Sequence, residues 1–189
     1  MKNYLFYFGI FFSILFLGCS IKYIPLKTEK ISVSDEYAIL KTENYNIIVQ
    51  YRYWSKEPEE LSEYFTTFYA TITNKTDDKI NINLNDITLL DESGNQYDPI
   101  DLEIVENMLL PDEIRFEDIV ASTLEKDQAI DNWREARKNL MLHSFHFGQI
   151  FPKAKKSGYL YFNRLPSSNQ SCKIIMKNDV FSFERQKKK

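Results

Sequence analysis

A mainly β fold, an antiparallel β-sandwich carrying one inserted α-helix at about residues 122–142, is what the sequence predicts, and three observations predict it. Short runs alternate apolar and polar residues with a period of two, as Ile80, Ile82 and Leu84 do against Asn81 and Asn83. Turn residues punctuate these runs about every 8 to 12 positions, the spacing of sandwich strands. A single stretch, about 122–142, instead places its apolar residues three and four apart.

The first 18 of the 189 residues stand apart from this pattern. Lys2 precedes an apolar run from Tyr4 to Leu17, which ends in Gly18, Cys19 and Ser20, the composition of an export signal rather than of a fold. The run is about 14 residues long, short of the roughly 20 that a membrane-crossing helix needs. Leu15-Phe16-Leu17-Gly18-Cys19 resembles the lipobox of bacterial prolipoproteins. The resemblance implies cleavage between Gly18 and Cys19, alkylation of the Cys19 thiol by a diacylglyceryl group and acylation of the new amino terminus, so that the membrane is reached through an N-terminal lipid. Two or three acyl chains anchor durably where one anchors marginally. Ser20 resembles the signal that sorts such proteins to the outer membrane where there is one, so the implied location is the cell membrane or outer membrane, on the extracytoplasmic side. With Cys19 lipidated, Cys172 is a lone thiol, and its neighbours Lys173, Ile174, Ile175 and Met176 place it in a buried strand.

Residues 19–36 mix Lys, Thr, Ser and Asp with scattered apolar positions and read as a lipidated tether, part of which could pair as an edge strand. The domain itself is expected over 37–189, ending in a basic tail. Tyr45, Ile47, Val49, Tyr51 and Tyr53 alternate with Asn46, Ile48, Gln50, Arg52 and Trp54 as a strand. Ser55 to Ser62 forms a loop or one helical turn, and Tyr64 to Asn74 a second strand with Phe68, Ala70 and Ile72 on one face. After the turn chemistry of Asn74 to Asp78, the run from Ile80 to Leu84 is the clearest half-buried strand. Ile87 to Leu90 and Gln96-Tyr97 make a hairpin through Asp91 to Asn95, where Gly94 is suited to a positive φ.

Ser122 and Glu125 form a capping box, predicting a helix start. Leu124, Ala129, Ile130, Trp133, Ala136, Arg137, Leu140 and Met141 recur three and four apart as its apolar stripe, ending near Leu142 or His143. Phe145 and Phe147 flank His146 in a short strand, Gly158 to Phe162 is another, and Cys172–Met176 with Val180–Phe183 form a closing hairpin. Thr71-Ile72-Thr73-Asn74, Asp91-Glu92-Ser93-Gly94-Asn95-Gln96-Tyr97, Phe151-Pro152 and Gly158-Tyr159-Leu160-Tyr161-Phe162 follow in an order that resembles the telokin-like, immunoglobulin-fold domains of bacterial lipoproteins. The resemblance implies an immunoglobulin-like sandwich and brings no catalytic residue with it.

Composition bounds the function. With 43% apolar and 27% charged residues, 5 Gly and 6 Pro, the chain is neither disordered nor low in complexity, and two Cys cannot staple a disulfide scaffold. Its net charge of -3 has the wrong sign for a general nucleic-acid binder. His143 and His146 lack a third ligand for zinc, so no metal or other cofactor is expected. No phosphate loop or nucleophile elbow is present, and no pair of carboxylates is spaced as acid and base, so no catalytic residue is assigned and a non-enzyme is expected. Charge is segregated: residues 86–118 hold 11 acids and one base, whereas 126–189 hold 14 bases and 5 acids. Either the two segments neutralise each other, or Asp91, Glu92, Asp98, Asp101 and Glu103 form a face for a basic partner or a cation. The expected function is a lipid-anchored, non-catalytic binding or accessory module of the cell envelope with an envelope protein or polymer as partner, the alternative being a periplasmic small-ligand or cation binder using residues 86–118.

Overall fold

Residues 22–111 and 123–186 are described by a computed structural model, the first four of the second segment by their backbone alone. The strands are β1 (Tyr23–Pro25), β2 (Ile31–Ser34), β3 (Tyr37–Lys41), β4 (Tyr45–Tyr51), β5 (Phe65–Asn74), β6 (Ile80–Ile82), β7 (Ile87–Asp91), β8 (Gln96–Tyr97), β9 (Gly148–Ile150), β10 (Lys155–Asn163), β11 (Ser171–Met176) and β12 (Asp179–Arg185). Three helices join them: α1 (Leu61–Tyr64), α2 (Leu102–Met108) and α3 (Thr123–His143).

One sheet runs β1-β12-β11-β7-β8 and the other β10-β5-β4-β3-β2, every pairing antiparallel, with β6 and β9 as a separate pair. Side chains on alternate residues of each sheet fill the space between them, a β-sandwich core. Ile47, Val49, Phe68, Ala70, Ile72, Leu160 and Phe162 enter it from one sheet, and Leu89, Cys172, Ile174, Phe181 and Phe183 from the other. The Cys172 thiol is buried there as expected, and burial pushes its pKa up to about 12.

A second apolar cluster lies on the opposite face of the β10–β5 end. Tyr159, Tyr161 and Phe65 pack there with Trp54, Leu61 of α1, Val105 of α2 and Leu140 of α3. Strand β10 is therefore buried on both faces, and its free edge is closed as well: Phe145 N–H donates to Tyr159 O at 2.8 Å and Ile100 N–H to Tyr161 O at 2.8 Å. Ser144 locks α3 to the strand, its hydroxyl bonding Leu140 O at 2.5 Å and sharing a hydrogen bond with Tyr161 Oη at 2.8 Å.

Several expectations are corrected. The segment 19–36 is not tether throughout: β1 pairs with β12 and β2 with β3, and Tyr23 and Ile31 are core residues, so the folded domain begins near Lys22 rather than at 37. Alternation over 80–84 yields only three strand residues. Leu84 opens a 3₁₀ turn because the Asp86 carboxylate accepts from Asn83 N–H at 2.7 Å and bends the chain away. Among the described residues the helix expected over 122–142 is one of three, and it runs to His143. Its capping-box residue Ser122 lies outside the described residues, whereas Trp133, Ala136 and Leu140 form its inward stripe. Met141 falls about 100° round the helix from Leu140 and is 52% exposed. Gly94 has the positive φ expected of it, 83°.

Gly158 faces the segment that seals the edge of β10. A Cβ there would stand 2.4 Å from the backbone of Ser144 and Phe145, with no flexible atom to yield. The Gly158→Ala variant should lose about 1–3 kcal/mol of stability or more, read from the midpoint of urea unfolding. An unchanged midpoint would mean that residues 144 and 145 do not approach the strand so closely.

Candidate functional site

The acidic residues singled out by the sequence do not form one cluster. Asp91 ends β7 and is 7% exposed. Its Oδ1 accepts from Ser93 N–H (2.9 Å) and Asn95 N–H (2.8 Å), and its Oδ2 from Asn95 Nδ2 (2.7 Å) and Tyr97 Oη (3.1 Å). This carboxylate is spent on building the β7–β8 turn. Glu92 accepts from Gln170 N–H, Asp98 from Thr88 Oγ1 and Gln96 Nε2, and Asp101 caps α2 by accepting from Glu103 N–H at 3.0 Å. Glu103 lies exposed in the first turn of that helix, where a negative charge suits the dipole. Among the described residues no three His, Cys, Asp or Glu side chains are placed to hold a metal ion. One ion pair, Arg137 Nε to Glu106 at 3.1 Å, joins the acidic and basic segments through α3 and α2.

Gly18 and Cys19 lie outside the described residues. The two histidines have different neighbours. His146 is exposed and its Nε2 meets Met141 O at 2.7 Å, so this nitrogen must carry the proton. His143 packs edge-on to Trp54, ring centroids 6.4 Å apart.

Two concavities lie among the described residues. One, of about 230 Å³, lies beside the sealed edge of β10 and is lined by Ile100, Asp101, Ser144, His146 and Tyr159 among others. Its polar groups are committed elsewhere: Ser144 to Leu140 O and Tyr161, His146 to Met141 O, Asp101 to the start of α2. The other, an open groove of about 440 Å³, runs between Thr28–Ile31 and Asn178–Ser182.

The arrangement that sequence reading missed is on the outer face of the β10–β5–β4 sheet. Arg52 extends β4 by one rung, donating its N–H to Thr67 O at 3.3 Å while Thr67 Oγ1 donates to Arg52 O at 2.6 Å. Alternation then sends Arg52 and Trp54 to the face opposite Val49 and Tyr51. The Arg52 guanidinium lies 5.1 Å from the Tyr69 ring centroid and 5.7 Å from that of Tyr159, within cation–π range. Trp54 meets Tyr159 edge-on at 5.0 Å. Its indole Nε1 is buried and, among the described residues, has no hydrogen-bond partner. Burial, together with the charges of Lys56 and Arg52, holds His143 below the ordinary imidazole pKa. The available signal was Trp54 standing on the polar parity of its strand, which marks that face as covered.

No family model matches the chain, and no curated protein does. Among solved structures it is similar to a functionally unknown protein from Listeria monocytogenes EGD-e, at 10% identity and a TM-score of 0.33, over 82% of this chain and 71% of that one, a likeness too slight to carry an argument.

The Asp91 turn makes a prediction about acid stability. Its pKa is lowered, first by the Asn95 side-chain hydrogen bond, so it stabilises the fold above the unfolded-state pKa of about 3.9, and that contribution is lost as pH falls through the lower folded value. Denaturation profiles from about pH 5 down to about pH 2 should therefore fall more steeply for the native chain than for Asp91→Asn. Parallel profiles would show that Asp91 is not held as its geometry requires.

Proposed function

We propose that the protein is a lipid-anchored, extracytoplasmic module of the cell envelope, with an immunoglobulin-like sandwich that binds or assists an envelope partner without catalysing a reaction. The observation that carries this reading is the position of Cys19, at the end of the lipobox-like Leu15 to Cys19 and four residues ahead of Tyr23 in β1. At about 3.3–3.6 Å per residue, four residues reach at most about 14 Å, so a lipid on Cys19 would hold the sandwich close against the bilayer rather than far above it.

Chain topology adds a second support. Tyr23 pairs with Arg185, and Gln186 N–H donates to Lys22 O at 2.8 Å, so the C-terminal tail departs beside the N-terminal anchor. Lys187, Lys188 and Lys189 follow Gln186 in the sequence, and a basic residue near an anionic surface contributes about 1 kcal/mol. The partner surface is accordingly sought on the far end and outer faces of the sandwich.

The test is the mass of the amino-terminal peptide of protein purified from its host's membranes. A peptide beginning at Cys19 with added diacylglyceryl and acyl mass is expected, and Cys19→Ser should move the protein out of the detergent phase while leaving its melting temperature unchanged. An unmodified terminus, or a Cys19→Ser chain that still partitions into detergent, would overturn the anchor. Deleting Lys187 to Lys189 should weaken only the salt-sensitive part of the association with anionic vesicles.

A further inference from the structure

Among the described residues three tyrosines are exposed, Tyr37 at 41% and Tyr53 and Tyr64 at 52%, and all three lie at one end of the β5–β4–β3 sheet. Tyr37 opens β3, Tyr53 stands two residues past the end of β4, and Tyr64 closes α1 immediately before β5. Because β4 is antiparallel to both neighbours, its end meets the starts of β3 and β5: Val49 pairs with Ala38 and Tyr51 with Phe68. Strand β1 starts at the same end. The Tyr23 ring meets that of Tyr51 edge-on at 5.2 Å, and Lys22 pairs with Glu36, the residue before Tyr37. A single exposed aromatic needs no explanation, since folded surfaces are largely apolar. The grouping does. Tyr45, at the opposite end, is spent on contacts within the fold, its ring with Lys177 and its hydroxyl with Asp179.

We propose that Tyr37, Tyr53 and Tyr64 form a rim that contacts the bilayer, their rings seated in the headgroup layer around the lipid anchor. The inference rests on the anchoring reading and adds to it the surface that meets the membrane. Two arguments carry it. Cys19 is four residues from Tyr23, so at most about 14 Å of chain separates a lipid there from this end of the sandwich. Tyrosine suits the lipid–water boundary, because its ring enters the acyl margin while its hydroxyl stays among the headgroups. Charge on this end is mixed, Lys22, Lys56 and Arg164 standing against Glu57, Glu59 and Glu60, so the rim does not require anionic lipid.

The experiment uses the chain purified with its lipid from host membranes and reconstituted into phosphatidylcholine vesicles, with or without a quencher on the acyl chain close to the headgroup. With Cys19 lipidated, the remaining thiol, Cys172, is buried, so a cysteine introduced at the surface alone takes an environment-sensitive fluorescent label. Labels on Tyr37→Cys, Tyr53→Cys and Tyr64→Cys should shift to the blue and be quenched from the lipid, in high salt as in low. A label on Phe151→Cys, exposed at the opposite end where Asn74 Nδ2 donates to Phe151 O, should do neither. Tyr37→Ser with Tyr64→Ser should reduce the quenching at Tyr53→Cys, and Phe151→Ser should leave it unchanged. All these positions are exposed, so melting temperatures should stay as in the native chain. Equal signals at all four labelled positions, in protein whose amino-terminal peptide carries the lipid, overturn the rim and leave the anchor standing; a peptide without lipid overturns both. A blue shift at the tyrosine positions that grows with protein density, without quenching from the lipid, places a second copy of the chain there and also overturns the bilayer contact.

Discussion

Strand β10 is buried on both faces, and much of the architecture follows from that constraint. Leu160 and Phe162 belong to the core between the sheets, while Tyr159 and Tyr161 belong to the cluster under the helices. A strand with apolar groups on both sides cannot face water on either. The chain therefore needs a third layer, and α1, α2 and α3 supply it over the same sheet end. The free edge of β10 must be covered too, and Ile100 and the Ser144–Phe145 segment do so with backbone hydrogen bonds, which only the missing side chain of Gly158 permits.

Polar groups buried at the ends of strands fix the loops that this packing brings together. Asn74 is fully buried at the end of β5; its Nδ2 donates to Asp78 O, Ile150 O and Phe151 O, and its Oδ1 accepts from Thr76. One side chain thus ties β5 to the β6 turn and to β9. Asn169 does the same at the other end, accepting from Glu92 N–H and donating to Tyr23 Oη and Ser171 O. These amides replace hydrogen bonds to water that burial removes, and a truncated one would leave several backbone groups unpaired. Asp91 belongs to the same class, which is why a residue that reads as a surface charge is a structural one.

The same outer layer encloses Trp54. Aromatic rings from β5 and β10 hold Arg52, and the closing turn of α3 brings His143 against the indole. Packing explains why the rings are there. It leaves the buried indole N–H of Trp54 without a hydrogen-bond partner among the described residues.

The sequence by itself determined the class of fold and the identity of its best-patterned elements, because period-two alternation in 45–51 and 65–74 and period three to four in α3 reflect burial on one side, which local pattern encodes. Gly94 at a positive φ and Cys172 in a buried strand were legible for the same reason, each being dictated by its immediate neighbours. Only the tertiary structure decided the rest. Tyr23 and Ile31 become core residues because β12 and β3 offer open edges, which composition in 20–36 does not reveal. His143, distant in the chain from Trp54, meets it because Ser144 docks on Tyr159 and carries the end of α3 to the outer face of the sheet. Such convergence depends on strand order and layer placement, and neither is written in any local window of sequence.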